Sequence, residues 1–86
     1  MRVLVPTQLR SYTGGAAEVA GRGATLGEVL DELDARYPGM RFRIVDEQGR
    51  IRRHVRIFVN GEVVGGLAVE VAERDQVQIV GALSGG

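Results

Sequence analysis

The stretch TLGEVLDELDARYPG, residues 25–39, restricts the fold of this chain more than any other. Thr25 and Glu28 have the spacing of a capping box, in which the hydroxyl accepts from a first-turn N–H and the acid reaches back to the helix start. Leu26, Val29, Leu30, Leu33 and Tyr37 recur at helical spacing and form one apolar stripe. Asp31, Glu32 and Asp34 lie off that stripe and read as a solvated face rather than a catalytic pair. Pro38-Gly39 stops the run. The pattern predicts a helix over 25–37 with one face to bury. In a chain of 86 residues that face has to be covered by a sheet within one small domain, spanning 1–86.

Strand signals surround the helix. RVLVPTQL at 2–9 reads as a strand, with Pro6 at a bulge or wherever no ladder donor is needed. SYTGG at 11–15 is a turn and AAEVAG at 16–21 a short second strand. MRFRIVDE at 40–47 has mixed periodicity and fits a helical turn or a strand, and DEQGR at 46–50 is a turn. HVRIFVN at 54–60 alternates, with Val55, Ile57 and Val59 inward and Arg56, Phe58 and Asn60 outward. Asn60-Gly61 is a strong hairpin signal, and 62–66 follows as an edge piece. Glu73-Arg74-Asp75 forms a charged turn. QVQIVGAL at 76–83 is the last strand, with Val77 and Ile79 inward and Gln78 and Val80 outward. The predicted class is α+β: two layers, one sheet with one main helix across a face.

Composition narrows the function. Eleven basic residues balance eleven acidic ones, which argues against general electrostatic attraction to nucleic acid or anionic membrane. There is no cysteine, so disulfides, thiolate nucleophiles and Cys-based metal sites are excluded. His54 is the sole histidine, reads as solvent-facing, and joins no Ser-His-Asp set. The glycines at 14–23 match neither a phosphate loop nor a dinucleotide fingerprint. No run approaches a membrane span, and no signal-peptide core is present near the start. A cytoplasmic, non-enzymatic protein is expected.

Three features remain. First, the chain stops on Ser84-Gly85-Gly86 directly after a strand. Glycines are poor structural material there, but they let a terminal carboxylate thread a narrow cleft. Second, Phe58 and Val80 point outward, and on neighbouring strands they would form an apolar patch leading toward Leu83. Third, Arg41, Arg43, Arg50, Arg52, Arg53 and Arg56 cluster in the middle third, beside Asp46 and Glu47. A nucleic-acid-binding domain using this Arg41–Arg56 cluster is one open reading. All the cations are arginines, so the chain offers no lysine amine on which to conjugate itself.

VLVPTQLRSYTGG, TLGEVLDELDARYPG, IFVNGE and the final SGG occur in the order seen in the ubiquitin-like sulfur carriers, and the whole chain resembles the ThiS/MoaD family. The long first loop and DEQGRIRRHVRIFVNGE are most similar to carriers used in cysteine biosynthesis. The resemblance implies a β-grasp, ubiquitin-like fold with a mixed sheet on one main helix and a flexible diglycine tail. It implies that an E1-like adenylating enzyme uses ATP to form an acyl-adenylate at Gly86. A sulfur donor then leaves a thiocarboxylate that a sulfur-accepting biosynthetic enzyme consumes. Gly85 and Gly86 would be the carrying terminus; Phe58, Val80, Leu83 and Ser84 would contact partners. The carrier itself would bind no permanent cofactor or metal and act as a monomer. Cysteine, thiamin, molybdopterin and tRNA thiolation all use carriers of this kind. A ubiquitin-like modifier forming isopeptide bonds through Gly86 remains the other reading. Gly81-Ala82 departs from the family pattern, in which bulkier residues precede the terminal segment.

Overall fold

The structure is a computed structural model in which residues 1–81 are described. Leu83, Ser84, Gly85 and Gly86 therefore lie outside the described residues. The elements are β1 (Arg2–Leu4), a 3-10 turn (Thr7–Leu9), β2 (Glu18–Ala20), α1 (Leu26–Arg36), α2 (Met40–Ile44), β3 (Val55–Val59), β4 (Glu62–Val64) and β5 (Gln76–Gly81). One five-stranded sheet has the order β2-β1-β5-β3-β4. β1 and β5 run parallel, and the other neighbours run antiparallel.

The helix forms where its caps place it. Thr25 Oγ1 accepts from Glu28 N–H at 3.2 Å, while Glu28 Oε1 accepts from Ala24 N–H at 2.8 Å. The acid thus reaches one residue further back than an ordinary capping box. Leu26 and Gly27 N–H, which have no partner within the helix, donate to the Val69 and Leu67 carbonyls at 2.9 Å. Asp34 is not simply solvated: its Oδ1 accepts from Gly39 N–H at 3.1 Å and Arg41 N–H at 3.0 Å, fixing the start of α2. Asp31 and Glu32 are also engaged, with Arg41 and Arg36 respectively.

The last strand completes the sheet by entering its centre. Val77 sits between Val3 and Val59, and Ile79 pairs with Ile57. These inward residues are packed with Leu26, Val29, Leu30 and Leu33 of α1 and with Met40 and Ile44 of α2 in one apolar core. Because alternate strand residues face opposite sides, the same register sends Leu4, Gln78, Phe58 and Val63 to the outer face as one cross-strand row. Asn60 and Gly61 close the β3–β4 hairpin with φ of 51° and 85°, the left-handed pair that a two-residue turn requires.

One predicted element is shorter than its pattern. The strand expected over 2–9 ends at Leu4, and Pro6 caps the 3-10 turn that follows. Proline has no N–H for the ladder. The chain bends there, and Leu9, 7% exposed, swings into the core. The 40–47 stretch begins as a helical turn rather than a strand.

Candidate functional site

Phe58 and Val80 do share the outer face, as their alternation implies. Phe58 lies opposite Gln78 on β5 and Val63 on β4, and Val80 lies opposite Arg56. Both are half-buried rather than fully exposed, because Leu4 and Val63 extend the same face to either side. Val63 is 60% exposed. Its place was available in the sequence: it stands two residues past a two-residue turn, as Phe58 stands two before it, which makes them cross-strand partners. Arg2 and Glu18 form a polar rim at the β1–β2 edge, with an Arg2 Nη2 to Glu18 Oε1 contact of 2.9 Å. The hydrogen bond from Arg2 holds the Glu18 carboxyl below its ordinary range.

The bend at Pro6 shapes the rest of the site. β1 pairs with β5 only as far as Gln78. Ile79–Gly81 run on past it, and two depressions open around them. A groove of about 750 Å³ follows the outer face and includes Leu4, Thr7, Val80 and Gly81. A cleft of about 430 Å³ opens on the other side, between the Pro6–Leu9 segment, α2 and the start of β3. Pro6, Gln8, Ile79 and Gly81 line both. Gln8 Nε2 lies 3.4 Å from the Gly81 carbonyl oxygen, toward which it donates. A Cβ at position 81 would stand 3.2 Å from Gln8 Oε1, so glycine permits this close approach without displacing the Gln8 side chain.

The arginine cluster does not form one stripe. Arg41 turns back to α1, its Nε buried and 2.8 Å from Asp31 Oδ1, an ion pair that is not aligned as a hydrogen bond. Arg52 lies over the Phe42 ring at 4.5 Å and donates to the Phe42 carbonyl at 2.7 Å. Arg56 belongs to the outer face and donates to the Arg53 and Val55 carbonyls. Arg43 and Arg52 line the cleft. Asp46 is occupied by the loop itself, accepting from Arg50 and Gln48 N–H at 2.9 Å, and these bonds lower its pKa, that from Arg50 most. His54 stands at the rim of the cleft. No group of three or more His, Cys, Asp or Glu side chains is arranged to hold a metal among the described residues.

What the arrangement offers is contact surface on both sides of the strand that leads to the diglycine end. It brings Phe58 and Val80 together; the predicted contacts at Leu83 and Ser84, and the terminus at Gly85 and Gly86, fall outside the described residues. Alternation puts Leu4 on the face opposite Val3 and Val5, as observed, but the sequence pattern did not mark Leu4 or Val63 as part of the patch, nor the cleft. Phe42, 58% exposed, stood in a segment whose periodicity was mixed.

Comparison with known proteins agrees over almost the full chain. A family model described as the ThiS family matches residues 3–86. Sulfur carrier protein CysO of Mycobacterium tuberculosis is 44% identical over 89 aligned positions, covering 98% of this chain and 96% of that protein. Small archaeal modifier protein 3 of Haloferax volcanii is 38% identical over 66 positions, covering 73% of this chain and 71% of that one. Among solved structures, the Amycolatopsis orientalis BexX/CysO complex contains a chain that superposes with a TM-score of 0.91 at 39% identity. That match covers 99% of this chain and 98% of the other.

Proposed function

The chain belongs to the ThiS family and is a sulfur carrier of β-grasp fold, and from that premise we propose how its terminus and faces are used. Gly86 carries the chemistry. Its carboxylate attacks the α-phosphorus of ATP on an E1-like adenylating enzyme, giving an acyl-adenylate and releasing pyrophosphate. A sulfide-level donor then attacks the acyl carbon: a C–S bond forms, the C–O bond to AMP breaks, and a thiocarboxylate remains. Without activation the leaving group would be an oxide, and with it the leaving group is AMP. The carrier supplies no catalytic group to these steps; it is a protein cosubstrate, and ATP belongs to its partner.

The observation that supports this most directly is that the outer apolar patch lies on β3, β4 and β5, and β5 is the strand that runs to the diglycine end. An enzyme seated on Phe58, Val63 and Val80 is already beside Gly81. The residues from 82 to 86 span at most about 17 Å when extended, which sets how deep its active site lies. Gly85 and Gly86 let that segment pass where a side chain would obstruct it. Leu83 and Ser84 would meet the mouth of the same channel. The resemblance to the CysO proteins favours cysteine biosynthesis as the destination of the sulfur. The carrier would act as a cytoplasmic monomer docking each enzyme in turn. Among the described residues, no helix is long and apolar enough to cross a membrane.

Top-down mass spectrometry on the protein from its own cells tests the reading. The C-terminal fragment should carry one oxygen replaced by sulfur and should react with a thiol alkylator. Fragmentation is needed because oxidation of Met1 or Met40 changes the whole mass almost equally. An unmodified Gly86, with the activating enzyme and ATP present, would refute it. The similarity to small archaeal modifier protein 3 favours one second reading, a modifier joined to other proteins through Gly86. Lysine adducts bearing the C-terminal peptide of this chain would establish it.

A further inference from the structure

The cleft beside Gly81 has a chemistry of its own. Its deep side is apolar, with Leu9, Val55 and Ile79 buried. Its rim carries Phe42, 58% exposed, and the guanidinium of Arg52 is held over that ring at 4.5 Å. Stacking uses the face of the Arg52 guanidinium and the bond to the Phe42 carbonyl uses Nε; the other donors of the planar fork remain available for a carboxylate. Arg43 lines the same rim and makes no ion pair among the described residues. Among the described residues, Glu47 is the one carboxylate on the cleft. The charged lining among those residues is positive on balance, with Arg43 and Arg52 against Glu47, although the whole chain is neutral. An exposed aromatic, an arginine pinned over it, a second arginine on the rim and an apolar floor in a cleft of about 430 Å³ match the size and lining of a built recognition site.

We propose that this cleft is a second docking site, separate from the outer patch, for an acidic peptide segment of a partner protein bearing one apolar side chain. The apolar side chain enters toward Leu9, Val55 and Ile79, and carboxylates on either side meet Arg43 and Arg52. A polynucleotide fits the cleft less well. Arg43 and Arg52 line the cleft while Arg56 lies on the outer face, so these cations do not track one backbone, and Glu47 opposes phosphate. A segment held here lies against Gly81, on the opposite side of β5 from the outer patch. Two partners, or two parts of one, can then grip the strand that leads to the terminus. That use in sulfur transfer rests on the carrier reading; the binding itself does not.

The test is an amide-resolved NMR titration of the full-length, isotope-labelled chain with the peptide acetyl-Glu-Asp-Leu-Glu-Asp-amide. A charge-reversed peptide with lysines and a twelve-nucleotide single strand serve as controls. The expected result is saturable shifts at Phe42, Arg43, His54 and Gly81, with Phe58 and Val80 unmoved, and weakening by added salt. Arg43→Glu, at a side chain with no hydrogen bond among the described residues, should weaken binding about tenfold with amide dispersion unchanged. The proposal is overturned by no saturable shift, by shifts centred on Phe58 and Val80, or by undiminished affinity in Arg43→Glu. It is also overturned if the oligonucleotide binds these amides more tightly than the peptide. Any of these leaves the sulfur at Gly86 untouched, so this proposal and the carrier reading fail independently.

Discussion

Replacing Phe58 by Asp separates docking from folding. Phe58 is half-buried on the outer face, in the row that runs from Leu4 through Gln78 to Val63. Burying a whole Phe side chain is worth about 1.5–3 kcal/mol, so losing half that burial costs about 1 kcal/mol. The poorer strand propensity of Asp adds up to about 1 kcal/mol. A domain of this size is stable by about 4–13 kcal/mol, and the variant should stay folded. Docking is affected more. An aromatic at the centre of a contact patch contributes about 2 kcal/mol or more, and a buried carboxylate opposes association further. Affinity for the activating enzyme should fall about 30-fold or more. Urea titration measures the first quantity, and calorimetric titration of the activating enzyme the second. Phe58→Leu, which keeps the patch apolar, should retain most of the affinity. If Phe58→Asp is folded and binds the enzyme as tightly as the parent chain, the outer patch is not the docking surface.

Other consequences are structural. Asn60→Gly removes the bonds from Asn60 Nδ2 to Asp75 and from Gln76 N–H to Asn60 Oδ1, both 2.9 Å, whereas Asn60→Ala removes the same bonds and keeps a Cβ in left-handed backbone. The alanine variant should be less stable than the glycine variant by about 1 kcal/mol in urea unfolding, and equal stability would refute the turn assignment. Thr25→Ala should cost about 1 kcal/mol through loss of the bond from Glu28 N–H, with Thr25→Ser close to the parent. Asp75 is held below the ordinary carboxylate range first by the Asn60 side chain and then by Ala72 N–H, and Asp46 is lowered by backbone donors. Groups whose pKa falls on folding stabilise the fold fully above their unfolded values and cease to do so as pH drops through their folded ones. Thermal unfolding should therefore change little through these groups between neutral pH and the ordinary carboxylate range, then decline below it. The acid decline should be shallower in Asp75→Asn.

Deleting Gly86 should abolish adenylation while leaving the unfolding midpoint unchanged. A pyrophosphate-release assay with the activating enzyme reads the first effect, and normal release would show that Gly86 is not the residue that is activated.

The sequence by itself determined the elements whose signals are local. α1 follows from its stripe and from Thr25 and Glu28, the β3–β4 hairpin from Asn60-Gly61, and the two faces of β3 and β5 from strict alternation. Each is set by contacts within a few residues, where spacing and backbone preference suffice. The diglycine end was likewise plain in the sequence, and with it the family. Tertiary structure decided what depends on partners distant in the chain. β5 enters between β1 and β3, and only this makes Phe58 and Val80 neighbours and extends their patch to Leu4 and Val63. β1 stops at Leu4 because Pro6 cannot donate and Leu9 gains burial by turning inward, an exchange that alternation over 2–9 could not reveal. That bend lets β5 outrun β1 and opens the cleft in which Arg43, Arg52 and Phe42 meet Gly81. No period within the chain encodes that meeting, because it arises from the closing of the sheet.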